Sequence, residues 1–125
     1  MITVEEFMTS ELFTMSETDT VNDARKVMTE RHIRHIPITD HENRLVGLVT
    51  QRDILAATGP APAGQENKAS DTAEKGTRLS DIMMKNVSVV DISDSLRTAA
   101  MYMQSHKYGC LPVVSNGRLA GIITD

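Results

Sequence analysis

The sequence Arg44-Leu45-Val46-Gly47-Leu48-Val49-Thr50 occurs a second time, 74 positions later, as Arg118-Leu119-Ala120-Gly121-Ile122-Ile123-Thr124. Upstream, the correspondence continues at a shift of 75 residues, because the loop before the second stretch is one residue shorter. The anchoring pairs are Met8 and Met83, Asp19 and Asp94, Ala24 and Ala99, Met28 and Met103, and Pro37 and Pro112. Self-similarity at a fixed spacing indicates repeated structural units. The chain therefore contains two copies of one unit.

Each copy contains the same series of predicted elements. Thr20 and Ser95 are typical helix N-caps, and apolar residues follow them at helical spacing, which predicts helices over about 20–31 and 95–106. Apolar runs at 35–38, 45–49, 110–114 and 119–123 predict buried strands. Short strands near 12–15 and 87–90 and helical turns at about 4–8 and 79–83 complete the two copies. Pro37 and Pro112 lack a backbone donor, so we expect them at a strand start, a bulge or an edge.

The stretch between the copies has a different composition. Residues 58–76 are polar, contain Gly and Pro and show no apolar period, which predicts a flexible linker. The first unit is then expected over residues 1–57 and the second over 77–125.

Composition excludes several classes of function. The chain has 125 residues and a net charge of −4, so its overall charge does not favour nucleic acid as a partner. The single cysteine, Cys110, allows neither an internal disulfide nor a zinc site of the CxxC type. The first residues do not resemble a secretory signal, and no apolar run approaches the roughly 18 residues of a membrane span. We therefore expect a cytoplasmic protein that does not bind membranes.

The repeat resembles the cystathionine-β-synthase (CBS) domain family, and the pair of copies resembles a Bateman module. The resemblance is carried by two strand-helix-strand-strand-helix units, with His-Ile-Pro-Ile at 35–38 and Gly-Leu-Val-Thr-Gln-Arg-Asp at 47–53. It implies an α+β fold in which two units pack around a pseudo-twofold axis. It also implies clefts that commonly bind AMP, ADP, ATP or S-adenosylmethionine as regulatory ligands, with no required cofactor, no bound metal and no catalytic centre. A homodimer is a further implication.

The resemblance assigns roles to residues of the first copy. Thr50 is expected to face a phosphate, and Asp53, three residues later, to bind the ribose hydroxyls. The chemistry agrees, because a hydroxyl at a helix N-terminus suits a phosphate oxygen and a carboxylate accepts from vicinal hydroxyls. Arg34 and Arg52 are candidate phosphate partners. The residues expected to line the adenine and ribose of this cleft are Met15, Ser16, His35, Ile36 and Pro37.

The second copy departs from the family pattern. Thr124 matches Thr50, but the sequence stops at Asp125, so the second unit is expected to lack its final helix and the acid three residues after Thr124. The remaining candidates for the second cleft are Val90, Asp91, His106, Lys107, Tyr108, Gly109, Cys110, Leu111, Pro112 and Thr124.

Three residue patterns also have purely structural interpretations. The segment 50–53 fits a helix capping box, in which Thr50 and Asp53 bond each other's backbone amides, and this role is compatible with ligand binding. His32 and His35 lack a third metal ligand, so a metal site is not favoured. Cys110 lies in an apolar run, which favours a buried thiol over a nucleophile.

The sequence supports two functional hypotheses. The first is a regulatory module that binds an adenine nucleotide or a related adenosyl ligand between two units. The alternative is a structural module that dimerises or docks on a partner protein and binds no small molecule. An enzyme is the least favoured class, because no nucleophile with a base and no phosphate-binding glycine loop is present.

Overall fold

The computed structural model describes residues 2–58 and 76–124. The first copy contains α1 (Val4–Phe7), α2 (Val21–Arg31), β1 (His35–Thr39), β2 (Leu45–Thr50) and α3 (Gln51–Thr58). The second contains α4 (Leu79–Ile82), β3 (Val90–Asp91), α5 (Leu96–His106), β4 (Cys110–Ser115) and β5 (Arg118–Thr124). The predicted α+β fold is confirmed. The proposed linker lies almost entirely outside the described residues.

The two long helices begin and end in the same way. Thr20 Oγ1 accepts a hydrogen bond from the Asp23 N–H at 3.1 Å, and Ser95 Oγ accepts one from the Thr98 N–H at 3.0 Å, so each helix starts at a side-chain cap. Both helices end at a residue in the left-handed region, His32 with φ 54° and Lys107 with φ 58°. The predicted helix boundaries are therefore confirmed to within a residue.

The strands form two sheets. β1 pairs antiparallel with β2, with His35 opposite Thr50. β4 pairs antiparallel with β5, with Cys110 opposite Thr124, and parallel with β3. The predicted strand near 12–15 is wrong, because only an isolated bridge joins Met15 to Ile38 there. The predicted strand near 87–90 is shorter and later, at Val90–Asp91.

The two prolines lie inside strands rather than at their first residues. Pro37 and Pro112 are the third residues of β1 and β4, and each of these strands has a register shift one or two residues later. The Pro37 carbonyl points away from β2 and accepts from the Met15 N–H at 3.2 Å. The position where Pro37 lacks an N–H is on this same side of β1, away from β2. Because only the isolated bridge between Met15 and Ile38 lies on that side in the described part of the chain, and no full strand, β1 loses little pairing.

The two copies exchange their first helical turns. Val4 of α1 is fully buried in the apolar core of the second copy, together with Ala99, Leu111 and Val113. Leu79 of α4 is fully buried in the core of the first copy. Neither core is therefore complete without a segment of the other copy, and the two copies form one folding unit.

Matched backbone hydrogen bonds hold the exchanged turns in place. Thr9 and Ile122 exchange two N–H to carbonyl bonds of 2.9 and 3.0 Å, and Met84 and Leu48 exchange an equivalent pair of 2.9 and 3.0 Å. These pairs correspond to each other through the sequence repeat, since Thr9 matches Met84 and Ile122 matches Leu48. The two copies thus have the pseudo-twofold arrangement that the repeat predicts.

Glycines make the close approach possible. A Cβ on Gly121 would lie 2.8 Å from Met8 Cγ and 2.9 Å from the Thr9 carbonyl oxygen. A Cβ on Gly47 would likewise collide with the side chain of Met83. Each glycine of the quoted stretches therefore admits a methionine from the other copy, where a larger residue would force the two apart.

Candidate functional site

A cleft of about 570 Å³ lies between the two copies, and we call it the first cleft. Its volume is within the range of about 300–1,000 Å³ that is usual for small-molecule sites. The first copy contributes Arg34, His35, Leu48, Thr50, Gln51, Arg52 and Asp53. The second copy contributes Met84, Val87, Ser88, Lys107, Tyr108, Gly109, Cys110 and Leu111. The site is thus shared between the copies.

One side of the first cleft is the start of helix α3. The Thr50 N–H and Oγ1–H donate to Asp53 Oδ2 at 2.9 and 3.0 Å, and the Asp53 N–H donates to Thr50 Oγ1 at 3.2 Å. The capping box predicted as the structural interpretation is therefore present. Within the described part of the chain, Asp53 Oδ1 has no hydrogen-bond partner. This half-buried carboxylate keeps one oxygen available to a ligand hydroxyl.

The opposite side of the first cleft carries an ordered aromatic group. Tyr108 and Tyr102 are joined through the Ser88 hydroxyl, at 3.3 and 3.2 Å from their phenol oxygens. The His106 ring is stacked on Tyr108 with 5.4 Å between ring centroids and 14° between planes. Tyr108 is therefore held in place by a hydrogen bond and by a stacked ring, which gives the cleft a fixed aromatic wall.

The first cleft has an excess of positive charge. Arg34, Arg52 and Lys107 are exposed cations along its lining, and Asp53 is the one carboxylate among its described lining residues. With His35 neutral, these groups give a net formal charge of two positive units. An anionic group would be attracted here, most strongly where water is partly excluded.

A second cleft of about 690 Å³ is related to the first by the repeat. Its lining residues are Thr9, Glu11, Leu12, Phe13, Arg31, His32, Ile33, Arg34, His35, Pro37, Ile122 and Thr124. At a shift of 75 residues, Ile33 takes the place of Tyr108 and Phe13 the place of Ser88. The guanidinium of Arg31 lies 4.4 Å from the centre of the Phe13 ring, over its face. The two clefts share a position in the repeat but differ in chemistry.

The structure regroups the residues that the sequence assigned to each cleft. Tyr108, Cys110 and Leu111, together with Lys107 and Gly109, were expected in the second cleft but line the first. Pro37 was expected in the first cleft but lines the second. The reason is the exchange between copies, which sets the strand end of one copy against the helix-to-strand junction of the other. Thr50, Arg52, Asp53 and Thr124 lie in the clefts to which they were assigned, and Arg34 and His35 line both.

Seven of the residues predicted for the clefts line neither of them. Met15 and Ile36 belong to the core of the first copy, and Pro112 is almost completely buried in β4. Ser16 is exposed in a turn, where its N–H donates to Asp19 Oδ2 at 2.8 Å. Val90, Asp91 and His106, also considered for the second cleft, line neither one.

Sequence reasoning missed several residues that do line the clefts. They are Leu48, Gln51, Met84, Val87 and Ser88 in the first cleft, and Thr9, Glu11, Leu12, Phe13, Arg31, His32, Ile33 and Ile122 in the second. The repeat itself could have indicated them, because most of the missed positions in one cleft are equivalent to missed positions in the other, such as Ser88 and Phe13. The sequence does not show which copy supplies each side of a cleft.

No group of three or more His, Cys, Asp or Glu side chains in residues 2–58 and 76–124 is arranged to hold a metal ion. No helix within these same ranges is long and apolar enough to cross a membrane. Cys110 is buried at 6% exposure, as its apolar surroundings predict.

These features define a class of protein: a tandem α+β repeat whose two copies exchange helical turns and enclose two clefts between them. The family model named CBS domain matches residues 4–59 and 79–125. The chain belongs to the CBS domain family and contains two copies of the domain.

Solved structures of similar proteins share the whole fold. A "putative acetoin utilization protein (AcuB)" from Vibrio cholerae is 43% identical, with a TM-score of 0.86 over 100% of this chain and 85% of that one. The protein CBSX2, solved in complex with AMP, is 29% identical, with a TM-score of 0.84 over 99% of this chain and 91% of that one.

Curated relatives include much larger proteins. A homoserine O-acetyltransferase from Methanococcus vannielii is 32% identical over 122 residues, which are 97% of this chain and 23% of the relative. Because this chain spans less than a quarter of that protein, the named acetyltransferase activity is not assigned to it.

Proposed function

We propose that this protein is a regulatory module that binds a phosphorylated adenosine, namely AMP, ADP or ATP, in the first cleft. The observation that carries the proposal is the composition of that cleft. It brings the hydroxyl and carboxylate of Thr50 and Asp53 together with cations from both copies. The complex of CBSX2 with AMP, in a protein of the same fold, supports the choice of an adenine nucleotide.

Each part of the nucleotide has a suitable group in the cleft. The phosphate is placed at the start of α3, where the helix dipole and the Thr50 hydroxyl favour an anion, with Arg34, Arg52 and Lys107 around it. The ribose hydroxyls are placed at Asp53 Oδ1, where a charge-assisted hydrogen bond forms without breaking the capping box at Oδ2. The base is placed toward the aromatic wall formed by Tyr108.

The positive charge discriminates among adenosyl ligands. S-Adenosylmethionine carries a sulfonium cation and no phosphate, so the cations around the first cleft disfavour it. AMP, ADP and ATP bring increasing negative charge to the same cations, and we expect affinity to increase in that order at low salt.

The regulatory action follows from the shared construction of the cleft. A ligand that contacts Thr50 and Asp53 in one copy and Lys107 and Tyr108 in the other stabilises one relative placement of the copies. The proposal also includes a homodimer and a cytoplasmic location. Leu55 on α3 and Met101 on α5 are 60% and 59% exposed, and they provide apolar helix surface for a second copy of the chain.

The test compares two variants that lose the same kind of helix cap. Asp53→Ala removes the proposed ribose acceptor and a capping box, whereas Asp23→Ala removes the equivalent box of α2, which lies outside both clefts. Both variants are expected to lose about 0.5–2 kcal/mol of stability. Only Asp53→Ala should lose nucleotide affinity, by about 10-fold or more, since a hydrogen bond to a charged group contributes about 1.5–3 kcal/mol.

Isothermal titration calorimetry and thermal shift with AMP, ADP, ATP and S-adenosylmethionine measure these effects. The proposal is refuted if no phosphorylated adenosine binds the wild-type protein at millimolar concentration. It is also refuted if Asp53→Ala binds the nucleotide as tightly as Asp23→Ala. A preference for S-adenosylmethionine would show that the charge argument is wrong.

A further inference from the structure

Among the described residues, two line both clefts. Arg34 directly precedes β1, and His35 is the first residue of β1, opposite Thr50 in the strand register. Both contribute to the first and to the second cleft. Their repeat equivalents, Gly109 and Cys110, line the first cleft but not the second. The pseudo-twofold symmetry is therefore broken at the place where the two clefts meet.

Within the part of the chain that the structure describes, the break leaves one guanidinium, that of Arg34, at the place where the two clefts meet. Gly109 has no side chain, so the second copy offers no cation at the position equivalent to Arg34. Gly109 lies close to His35, since a Cβ on this glycine would be 3.5 Å from His35 Nε2. The Arg34 carbonyl accepts a hydrogen bond of 2.8 Å from the Gln51 N–H, which ties its backbone to the start of α3. Its exposed side chain has no hydrogen bond or ion pair within the described ranges. The guanidinium can therefore turn toward either cleft.

The two clefts depend on Arg34 to different degrees. Without it, the first cleft retains two cations, Arg52 and Lys107, against the carboxylate of Asp53. The second cleft retains one cation, Arg31, against the carboxylate of Glu11. Loss of Arg34 thus leaves the first cleft with a net positive charge and the second with none, taking both histidines as neutral. An anionic ligand in the second cleft needs Arg34 more.

We propose that the two clefts compete for Arg34, so that a phosphate-bearing ligand in the first cleft lowers the affinity of the second cleft for a ligand of the same class. This inference rests on the proposed function. When a phosphate in the first cleft holds the guanidinium, the second cleft loses its excess positive charge. Coupling between binding sites is reciprocal, so a ligand in the second cleft weakens binding in the first by the same factor.

The amino-acid composition provides a readout for one cleft alone. The chain has two tyrosines and no tryptophan. Tyr108 lines the first cleft, Tyr102 is joined to it through Ser88, and neither lines the second cleft. Tyrosine fluorescence therefore reports the occupancy of the first cleft, whereas the heat in calorimetry reports both.

The experiment titrates AMP into the wild-type protein and three variants, using both readouts and correcting the fluorescence for absorption by AMP. Asp53→Ala weakens AMP binding in the first cleft by about 10-fold or more, so Arg34 is available at AMP concentrations that leave this cleft largely empty. Under these conditions AMP is expected to bind the second cleft at least 5-fold more tightly than in the wild type, where the first cleft is filled. In the double variant Arg34→Ala with Asp53→Ala, this gain should disappear. Sharing of a charged group is expected to give coupling in the usual range of about 5- to 150-fold.

Lys107→Asn is the matched control, because it removes a cation from the first cleft only and asparagine tolerates the left-handed φ of 58° at this position. It should weaken the fluorescence-detected event and leave second-cleft affinity unchanged when the first cleft is filled. The competition is overturned if the second cleft binds AMP equally tightly in the wild type and in Asp53→Ala, or if both proteins bind one AMP per chain. The proposed function stands in either case. Absence of both heat and fluorescence change in the wild type overturns both.

Discussion

Replacing Gly121 with alanine should destabilise the protein by about 1–3 kcal/mol, the usual range for overpacking a core. The added Cβ would lie 2.8 Å from Met8 Cγ, whereas carbon atoms prefer a separation of about 3.5–4.0 Å. It would also lie 2.9 Å from the carbonyl oxygen of Thr9. Met8 has a flexible side chain and can move. The Thr9 backbone cannot move without weakening its two hydrogen bonds to Ile122, each of which contributes about 0.5–1.5 kcal/mol.

Urea denaturation followed by circular dichroism measures this loss, with Gly109→Ala as the control. A Cβ on Gly109 meets its nearest atom, His35 Nε2, at 3.5 Å, which is an ordinary contact, so this variant should remain within about 0.5–1 kcal/mol of the wild type. A double variant, Met8→Ala with Gly121→Ala, should lose less stability than the sum of the two single variants, because the smaller residue 8 relieves part of the collision. If Gly121→Ala were as stable as Gly109→Ala, the close packing of the exchanged turn would be refuted.

Two further predictions concern charge and assembly. The Ser93 hydroxyl and N–H donate to Asp91 at 2.5 and 2.9 Å and lower the pKa of that carboxyl below its usual value. The stability that the Asp91 carboxylate contributes is therefore present above the usual pKa near 3.8 and is lost as the pH falls through the lowered value. In Ser93→Ala the pKa of Asp91, measured by NMR, should rise toward 3.8, and an unchanged pKa would contradict this cause. Light scattering should give twice the chain mass of 13.8 kDa, and Met101→Glu should shift the protein toward the monomer because it places a charge on an exposed apolar surface, whereas a monomeric wild type would exclude the dimer.

Much of the local structure could be predicted from the sequence because local signals agreed with each other. Caps at Thr20 and Ser95 and a helical apolar period fixed α2 and α5 to within a residue. The strand predictions succeeded where apolar runs were buried on both faces. They failed at residues 12–15, where the chain makes one bridge to Ile38 instead of pairing along its length. A short apolar run indicates burial, but it does not distinguish a strand from an extended segment packed on a core.

The candidate site was predicted less completely, for a physical reason. The apolar residues at 4–8 and 79–83 show that both helical turns are buried, but each copy offers a similar core, so the pattern fits packing on either one. Only the structure shows that Val4 enters the second core and Leu79 the first. The residues of each cleft follow from that exchange. Thr50 and Asp53 were found because their spacing is local. Tyr108 was assigned to the wrong cleft because the residues on the other side of its cleft, Thr50 to Asp53, belong to the other copy.

The places where the repeat is broken explain how one fold can hold two different sites. The exchanged backbone pairs, Thr9 with Ile122 and Met84 with Leu48, are preserved in both copies because they join the two cores. The lining of the clefts is not under this constraint. There the repeat has Tyr108 at the position equivalent to Ile33, and Gly109 at the position equivalent to Arg34. A symmetric pair of arginines would give each cleft its own cation and leave the clefts independent. One arginine shared between them makes the occupancy of each cleft depend on the other, which is a property that two identical copies would lack.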